Sequence, residues 1–156
     1  MGLVLVRYGE IALKGRNRPF FLRRLRRNIR AALAACGLQG TVFSGGRRIY
    51  IDTPSPWEAL DPLSRVFGIV SASPVSSVAP DLAAITAEVL EQAHQEDLVP
   101  GRTFRIMTRR SDKSFSMLSP QVEDHVGAAV VKDTGATVDL SRRAGLSIGI
   151  EIAGVR

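Results

Sequence analysis

The sequence predicts an α+β protein of two domains, of which the first is ferredoxin-like. Three observations support this fold class. Strand-like and helix-like apolar patterns alternate over residues 1–73 in the order βαββαβ, which is the ferredoxin-like order. A proline-bounded connection, Pro74 to Pro80, then interrupts the pattern. Helix and strand patterns begin again after it, so residues 74–156 are predicted to form a second domain of α/β type.

The first strand and the first helix have clear boundaries. The apolar run GLVLVRY is typical of a buried strand. Helix-starting signals follow, with Asn17 or Arg18 as the N-cap and Pro19 where a missing N–H costs nothing. Apolar residues then recur at helical spacing until Gly37 ends the helix. This spacing places Cys36 on the buried face, which predicts a structural thiol rather than a nucleophile.

A hairpin, a short helix and an extended segment complete the first domain. The strand-like segments TVF and RRIYID flank SGGR, whose Gly45-Gly46 pair can take the positive φ of a tight turn. Pro56 and Pro62 bracket a short or broken helix that ends near Phe67. The segment GIVSASPVSSV is then predicted to be the last extended stretch of this domain.

The second domain begins with a helix that Asp81 can cap. The alternating segment RTFRIMTRR predicts a strand, and Ser119-Pro120 predicts the cap and first turn of the next helix. LSIGIEI is the clearest strand pattern of the chain. Gly154 follows it, and a glycine in this position is typical of a hairpin turn. We therefore expect a further strand, and a longer natural protein, beyond Arg156.

Positive charge is concentrated in the first half of the chain. The net charge is +6. Up to Ala72 there are 12 basic and 4 acidic residues, a balance of +8, whereas the remainder has 9 basic and 11 acidic residues, a balance of −2. Seven of the basic residues fall between Arg16 and Arg30. Such an asymmetry indicates a polyanionic partner.

The first helix carries this charge on one face. At 100° per residue, Arg23, Arg27 and Arg30 point away from the apolar face, and no acid lies between Lys14 and Asp52 to neutralise them. A purely solvent-exposed face is the alternative, but like charges so close together repel one another. Binding to phosphate groups explains why the helix keeps them, because the planar arginine fork matches phosphate oxygens.

The segment RYGEIALKGRNR between the first strand and helix is a second candidate anion site. Its two glycines can bring backbone N–H groups towards an anion at the start of the helix. A small acyl-phosphatase is the enzymatic alternative, because such enzymes use an arginine-bearing anion loop before the first helix of a ferredoxin-like fold. That alternative leaves the second domain and the other arginines unexplained.

Several other classes of protein and site are disfavoured by the sequence. No apolar run approaches the roughly 20 residues of a membrane span, so no membrane association is expected. A single cysteine excludes an internal disulfide, which favours the cytoplasm. SGGRR lacks the Asp-Ser pair that continues an ATP-pyrophosphatase loop. No residue of the chain is predicted to be catalytic or to bind a metal.

Two long segments of the sequence resemble a known family. VRYGEIALKGRNRPFF followed by RRLRRNIR resembles the start of the tRNA 4-thiouridine synthases, the tRNA sulfurtransferases that also supply sulfur for thiamine. RRSDKSFSMLSPQVEDHVGAAV and VDLSRRAGLSIGIEI resemble their THUMP domain. THUMP domains also occur on RNA methyltransferases and other RNA-modifying enzymes, so the RNA-binding region of such an enzyme is the alternative.

The resemblance implies a role in tRNA recognition without catalysis. In that family, the two domains together bind the acceptor stem and the 3′ CCA end of tRNA, and a following domain adenylates a uridine with ATP and magnesium. The resemblance therefore implies no cofactor in this chain, with ATP and magnesium used by a domain beyond it. It implies tRNA as the partner, a cysteine desulfurase as the sulfur donor of the full-length protein, and a homodimer that no motif here encodes.

The candidate RNA-binding residues come from three places in the sequence. The matched N-terminal motif contributes Arg7, Lys14, Arg16 and Arg18. The exposed face of the first helix contributes Arg23, Arg27 and Arg30. The matched THUMP motif contributes Arg109, Arg110, Lys113 and Ser114. The SDKSF loop and the following helix start are expected to form a pocket for a terminal phosphate or ribose.

Overall fold

A computed structural model of the chain describes residues 2–9 and 15–154. The described residues form two compact units that divide between Ser77 and Val78. Each unit has its own cluster of buried apolar residues. The first is ferredoxin-like and the second is α/β, so the predicted α+β class is confirmed.

The first unit contains four strands and two α-helices, with a 3₁₀ turn (Gly15–Asn17) just before the first helix. Its sheet has the order β2-β3-β1-β4, with every neighbouring pair antiparallel. The elements are, in chain order, β1 (Gly2–Tyr8), α1 (Arg18–Ala35), β2 (Thr41–Gly45), β3 (Arg48–Thr53), α2 (Leu60–Ser64) and β4 (Ile69–Val75).

The core of the first unit lies between α1 and one face of the sheet. Leu25, Ile29 and Leu33 are the buried residues of α1, as the helical spacing predicts. They share a cluster with Val4 and Val6, which point to the same face of β1 because side chains alternate along a strand. Arg23, Arg27 and Arg30 of α1 are thereby directed away from the sheet.

Two local features of the first unit differ from the predictions. Cys36 is exposed, so its predicted burial is wrong. The helix ends at Ala35, and Leu38 rather than Cys36 packs against the core beyond it. Gly45 is the last residue of β2, and Gly46 alone supplies the positive φ, 57°, at the first position of a two-residue turn.

The second unit contains two helices and a three-stranded parallel sheet. The sheet order is β6-β5-β7, so β7 pairs with β5 through a crossover rather than a hairpin. The elements are α3 (Leu82–Gln95), β5 (Thr103–Arg110), α4 (Ser119–Thr134), β6 (Thr137–Val138) and β7 (Leu146–Ile152).

Both helices of this unit contribute to a single core. Val89 of α3 and Val126 of α4 are buried in the same cluster as Phe104 of β5 and Ile150 of β7. The helices therefore cover one face of the sheet and leave the other face without a helix. None of the helices in the described part of the chain is long and apolar enough to cross a membrane.

The helix starts of the second unit differ in their caps. Asp81 caps α3, since its carboxylate accepts a hydrogen bond of 2.8 Å from the Ala84 N–H. The predicted cap of α4, Ser119, is wrong by one residue. Leu118 is the N-cap, with extended backbone, and its N–H donates to the Gln121 side chain at 2.9 Å.

Candidate nucleic-acid interface

One end of the first unit brings together segments that are far apart in the sequence. Strand register pairs Tyr8, at the end of β1, with Ile69, at the start of β4. The same register places the Gly46-Arg47 turn at this end, because Val6 pairs with Ile49. The first turn of α1 lies here too. We call this region, with Tyr8, the Gly46-Arg47 turn, Ile69 and the start of α1, the basic end.

The basic end and the two turns of α1 beside it are rich in arginine. None of the described acidic residues of this unit belongs to the segments of the basic end. Asp52 pairs with Leu3 near the start of β1, Glu58 follows Pro56, which lies against Gly2, and Asp61 forms an ion pair with Arg65. The charge of the unit is thus segregated within the described residues. The arginines at and beside the basic end are Arg16, Arg18, Arg23, Arg24, Arg47 and Arg48.

The exposed face of α1 extends this positive surface. Arg23, Arg27 and Arg30 are all exposed, as the helical spacing predicts. The first turn of the helix has no acidic residue, and the Asn17 side chain makes no capping hydrogen bond. The positive end of the helix dipole therefore adds to the arginine charges.

Not every arginine of α1 belongs to this face. Arg26 is half-buried, and its Nη2 donates to the Val42 carbonyl oxygen at 3.1 Å. Because Val42 lies in the edge strand β2, this contact joins α1 to the sheet. Arg26 therefore has a structural role in the first unit.

The residues predicted from the N-terminal motif are placed differently from one another. Arg16 is exposed in the 3₁₀ turn (Gly15–Asn17) just before α1, and Arg18, the first residue of α1, is half-buried. Arg7 lies on the helix-free face of the sheet, where its Nη1 donates to the hydroxyl of Ser73 at 2.8 Å. Arg7 thus links β1 to β4. Lys14 lies outside the described residues.

In the second unit, Arg110 organises the loop over residues 111–118. Its Nη1 donates to the carbonyl oxygens of Phe115, at 2.9 Å, and Met117, at 3.4 Å. The backbone N–H of Ser111 donates to the Ile152 carbonyl at 2.9 Å and holds the other end of the loop to β7. The loop is therefore fixed in shape from within the unit.

Asp112 forms a turn at the tip of this loop. Its carboxylate accepts a hydrogen bond of 2.6 Å from the Ser114 hydroxyl and one of 2.9 Å from the Ser114 N–H. These bonds, with a smaller contribution from the charge of Arg110, lower the pKa of Asp112 below its ordinary value. Lys113 is left exposed between the two turn residues.

The two neighbouring arginines of β5 point to opposite faces of its sheet. Arg110 shares the face of Phe104 and Ile106, whereas Arg109 is exposed on the helix-free face with Met107. The structure therefore brings Arg110, Lys113 and Ser114 together around one loop and separates Arg109 from them. Strand alternation is the sequence signal that distinguishes the two arginines.

Residues with metal-binding chemistry are not clustered in the described ranges. Residues 2–9 and 15–154 hold no group of three or more His, Cys, Asp or Glu side chains that could bind a metal ion. His94 makes one contact with a carboxylate, since its Nε2 lies 2.5 Å from Oδ2 of Asp133. This pair joins α3 to α4 at the surface.

Comparison with protein families assigns both units. Residues 3–73 match the model of the ThiI ferredoxin-like domain, and residues 79–154 match the model of the THUMP domain. The chain carries a ThiI ferredoxin-like domain followed by a THUMP domain. The resemblance found in the sequence is therefore confirmed.

Relatives and solved structures extend this assignment. The chain is 39% identical over 139 residues to a probable tRNA sulfurtransferase of Moorella thermoacetica. The aligned region covers 88% of this chain and 35% of the relative. It thus spans about a third of the length of the curated relatives it matches.

Two solved structures share the fold of this chain. A crystal structure of PH1313 from Pyrococcus horikoshii matches all of this chain and 54% of its own, with a TM-score of 0.86 and 36% identity. A 4-thiouridine synthetase–RNA complex with bound ATP matches 97% of this chain and 38% of its own, with a TM-score of 0.73 and 28% identity.

Proposed function

We propose that this chain is the tRNA-binding region of a tRNA sulfurtransferase, and that it recognises the acceptor stem and 3′ CCA end of its substrate. The observation that carries the proposal is the exposed arginine face of α1, a helix that contains no acidic residue. Family membership supports tRNA as the polyanion, since similar proteins are named tRNA sulfurtransferases and one was solved with RNA.

The two units have different parts in this proposal. A-form RNA presents phosphates and 2′-hydroxyls to a protein, while its base edges lie in a deep, narrow groove. The arginine face of α1 suits the phosphates of the stem. The loop over residues 111–118 suits a strand end, because Arg110 and Asp112 hold its backbone in place while Lys113 is presented to solvent.

The chemistry of the full-length protein is a further part of the proposal. We propose that a domain outside this chain forms 4-thiouridine with ATP and magnesium, and that a cysteine desulfurase provides the sulfur, which is also used for thiamine. A cytoplasmic homodimer is the expected form of the protein. The support is the family assignment, together with a similar synthetase that was solved with ATP.

The role of the loop is tested by removing its exposed cation. Lys113→Ala should weaken binding of intact tRNA and leave binding of tRNA trimmed of its CCA end unchanged, because the lost contact is to the strand end. Fluorescence anisotropy with both tRNAs measures this difference. Lys132→Ala is the matched control, since Lys132 is also exposed but lies in the last turn of α4, about 20 Å along the helix from its start.

Equal weakening of both tRNAs by Lys113→Ala would contradict the assignment of the loop to the 3′ end. Equal losses of tRNA affinity in Lys113→Ala and Lys132→Ala would show that binding depends on the total charge of the chain and not on the position of Lys113. Binding of neither tRNA by the unsubstituted chain would contradict the proposed function itself.

A further inference from the structure

Two aromatic side chains at the basic end are strongly exposed. Phe67, just before β4, is 89% exposed, and Phe20, in the first turn of α1, is 60% exposed. Single exposed apolar residues are normal on protein surfaces and need no explanation. Phe67 and Phe20 differ from such isolated residues, because the residues that follow them in the chain lie close together inside the unit.

The residues that follow Phe67 and Phe20 in the chain, Gly68 and Phe21, lie close together. A Cβ on Gly68 would lie 3.0 Å from Cζ of Phe21. Gly68 has a φ of 97°, a conformation that favours glycine and turns the chain sharply between Phe67 and β4. The exposed Val70 follows at the start of the strand.

The surroundings of these rings are positively charged. Arg16 and Arg23 are exposed on either side of Phe20 along the chain, and the basic end has no acidic residue among those described. Trp57 is a useful contrast, because it is 74% exposed in the same unit but lies near the start of β1, where Pro56 contacts Gly2. The two ends of β1 are about 20 Å apart.

We propose that Phe20 and Phe67 form a stacking platform for unpaired bases of RNA at the basic end. Proteins that bind single-stranded nucleic acid combine a positive surface, which follows the backbone, with exposed rings on which bases stack. Here the arginines attract the phosphates and the rings receive the bases. The platform rests on the proposed function and adds to it a second kind of contact, one that depends on bases rather than on charge.

The test compares two RNA probes and two kinds of variant. Phe67→Ala and Phe20→Ala should each weaken binding of tRNA by about fivefold or more, the lower part of the range for one lost base–aromatic stack. They should leave binding of a blunt-ended RNA duplex unchanged, because a duplex offers no unpaired base. The slope of log affinity against log salt should also stay unchanged, since no phosphate contact is lost.

Matched variants separate stacking from other effects. Trp57→Ala removes an equally exposed ring at the other end of the sheet and should not change tRNA binding. Phe67→Tyr keeps an aromatic face and should retain affinity. Circular dichroism checks that each variant is folded.

The possible outcomes are distinct. Wild-type affinity of both phenylalanine variants for tRNA would overturn the stacking platform and leave the proposed function intact. Equal losses on tRNA and on the duplex would also overturn it, because they would indicate a change in the arginine surface. If the unsubstituted chain binds no tRNA, both proposals fall.

Discussion

Arg110 and Arg109 are neighbours in the sequence with opposite surroundings in the structure. The guanidinium of Arg110 donates to two carbonyl oxygens of the loop over residues 111–118, whereas Arg109 is exposed on the helix-free face of the sheet. Removing one partner of a buried or half-buried hydrogen bond leaves the other partner unsatisfied. The same substitution at the two positions should therefore have unequal effects.

We expect Arg110→Ala to loosen this loop and Arg109→Ala to leave it unchanged. Hydrogen bonds to a charged group contribute about 1.5–3 kcal/mol, so loss of those from Arg110 should speed local opening by roughly tenfold or more. The rate of hydrogen exchange at the Ser111 and Leu118 amides measures this local opening of the loop. Equal protection in the two variants would show that Arg110 does not hold the loop.

The turn at Asp112 predicts a dependence on pH. The hydrogen bonds from Ser114 lower the pKa of Asp112, so the turn stabilises the folded state above the ordinary aspartate pKa of about 3.9 and loses this effect as pH falls through the lowered value. We expect the carboxyl carbon of Asp112, followed by NMR, to titrate with a midpoint below about 3.9.

Replacement of the hydroxyl donor provides the control for this titration. Ser114→Ala removes the largest cause of the lowered pKa and should raise the midpoint. A midpoint in the unsubstituted chain at or above the ordinary value would contradict the turn geometry. At pH 6 to 8 the carboxylate is fully ionised in either case, so tRNA binding in that range should not report its titration.

Residue-level predictions from the sequence succeeded where one periodicity dominates. The 3.6-residue repeat separated Leu25, Ile29 and Leu33 from the exposed arginines of α1. The role of Arg110 could not be predicted, because its partners are backbone carbonyls of a loop that has no periodicity. Cys36 was assigned wrongly because helical spacing was extended past the residue at which the helix ends.

At the level of single elements, α1 is the clearest source of a prediction. Arg23→Glu together with Arg27→Glu should weaken binding of all tRNAs similarly, because phosphate contacts carry no sequence information. The salt slope should decrease by about 2 if each arginine neutralises one phosphate. Fluorescence anisotropy over a salt series measures both quantities.

A charge-matched variant outside α1 is the control for this prediction. Arg65 is exposed just after α2, and its charge is paired with that of Asp61. Arg27→Glu should therefore weaken tRNA binding more than Arg65→Glu, although both change the net charge by the same amount. Unchanged affinity of the double variant of α1 would contradict its role in binding.

Element boundaries were predicted with small errors that have local causes. Asp81 was predicted correctly as the N-cap of α3. Aspartate is a preferred N-cap residue, and its carboxylate accepts the capping hydrogen bond in the structure. Ser119 is not the cap. Leu118 has the extended backbone of an N-cap, and its N–H donates a hydrogen bond to the Gln121 side chain. A short-range hydrogen bond of this kind moves a helix start by one residue without changing the fold.

At the level of the whole molecule, the order of elements and the distribution of charge were both predictable. The βαββαβ order of the first unit follows from alternating periodicities, and its positive charge follows from composition. The clustering at the basic end was not predictable, because strand register brings Tyr8, the Gly46-Arg47 turn and Ile69 together. The position of the exposed Phe67 at the basic end also depends on this register, because Phe67 lies just before Ile69.

Binding of intact and CCA-trimmed tRNA by this chain over a salt series is the most direct test of its role in tRNA recognition. The proposed function predicts binding that weakens steeply as salt rises and is weaker for trimmed tRNA at every salt concentration. Absence of binding at low salt, or equal affinity for the two tRNAs, would contradict recognition of the tRNA end by these two units.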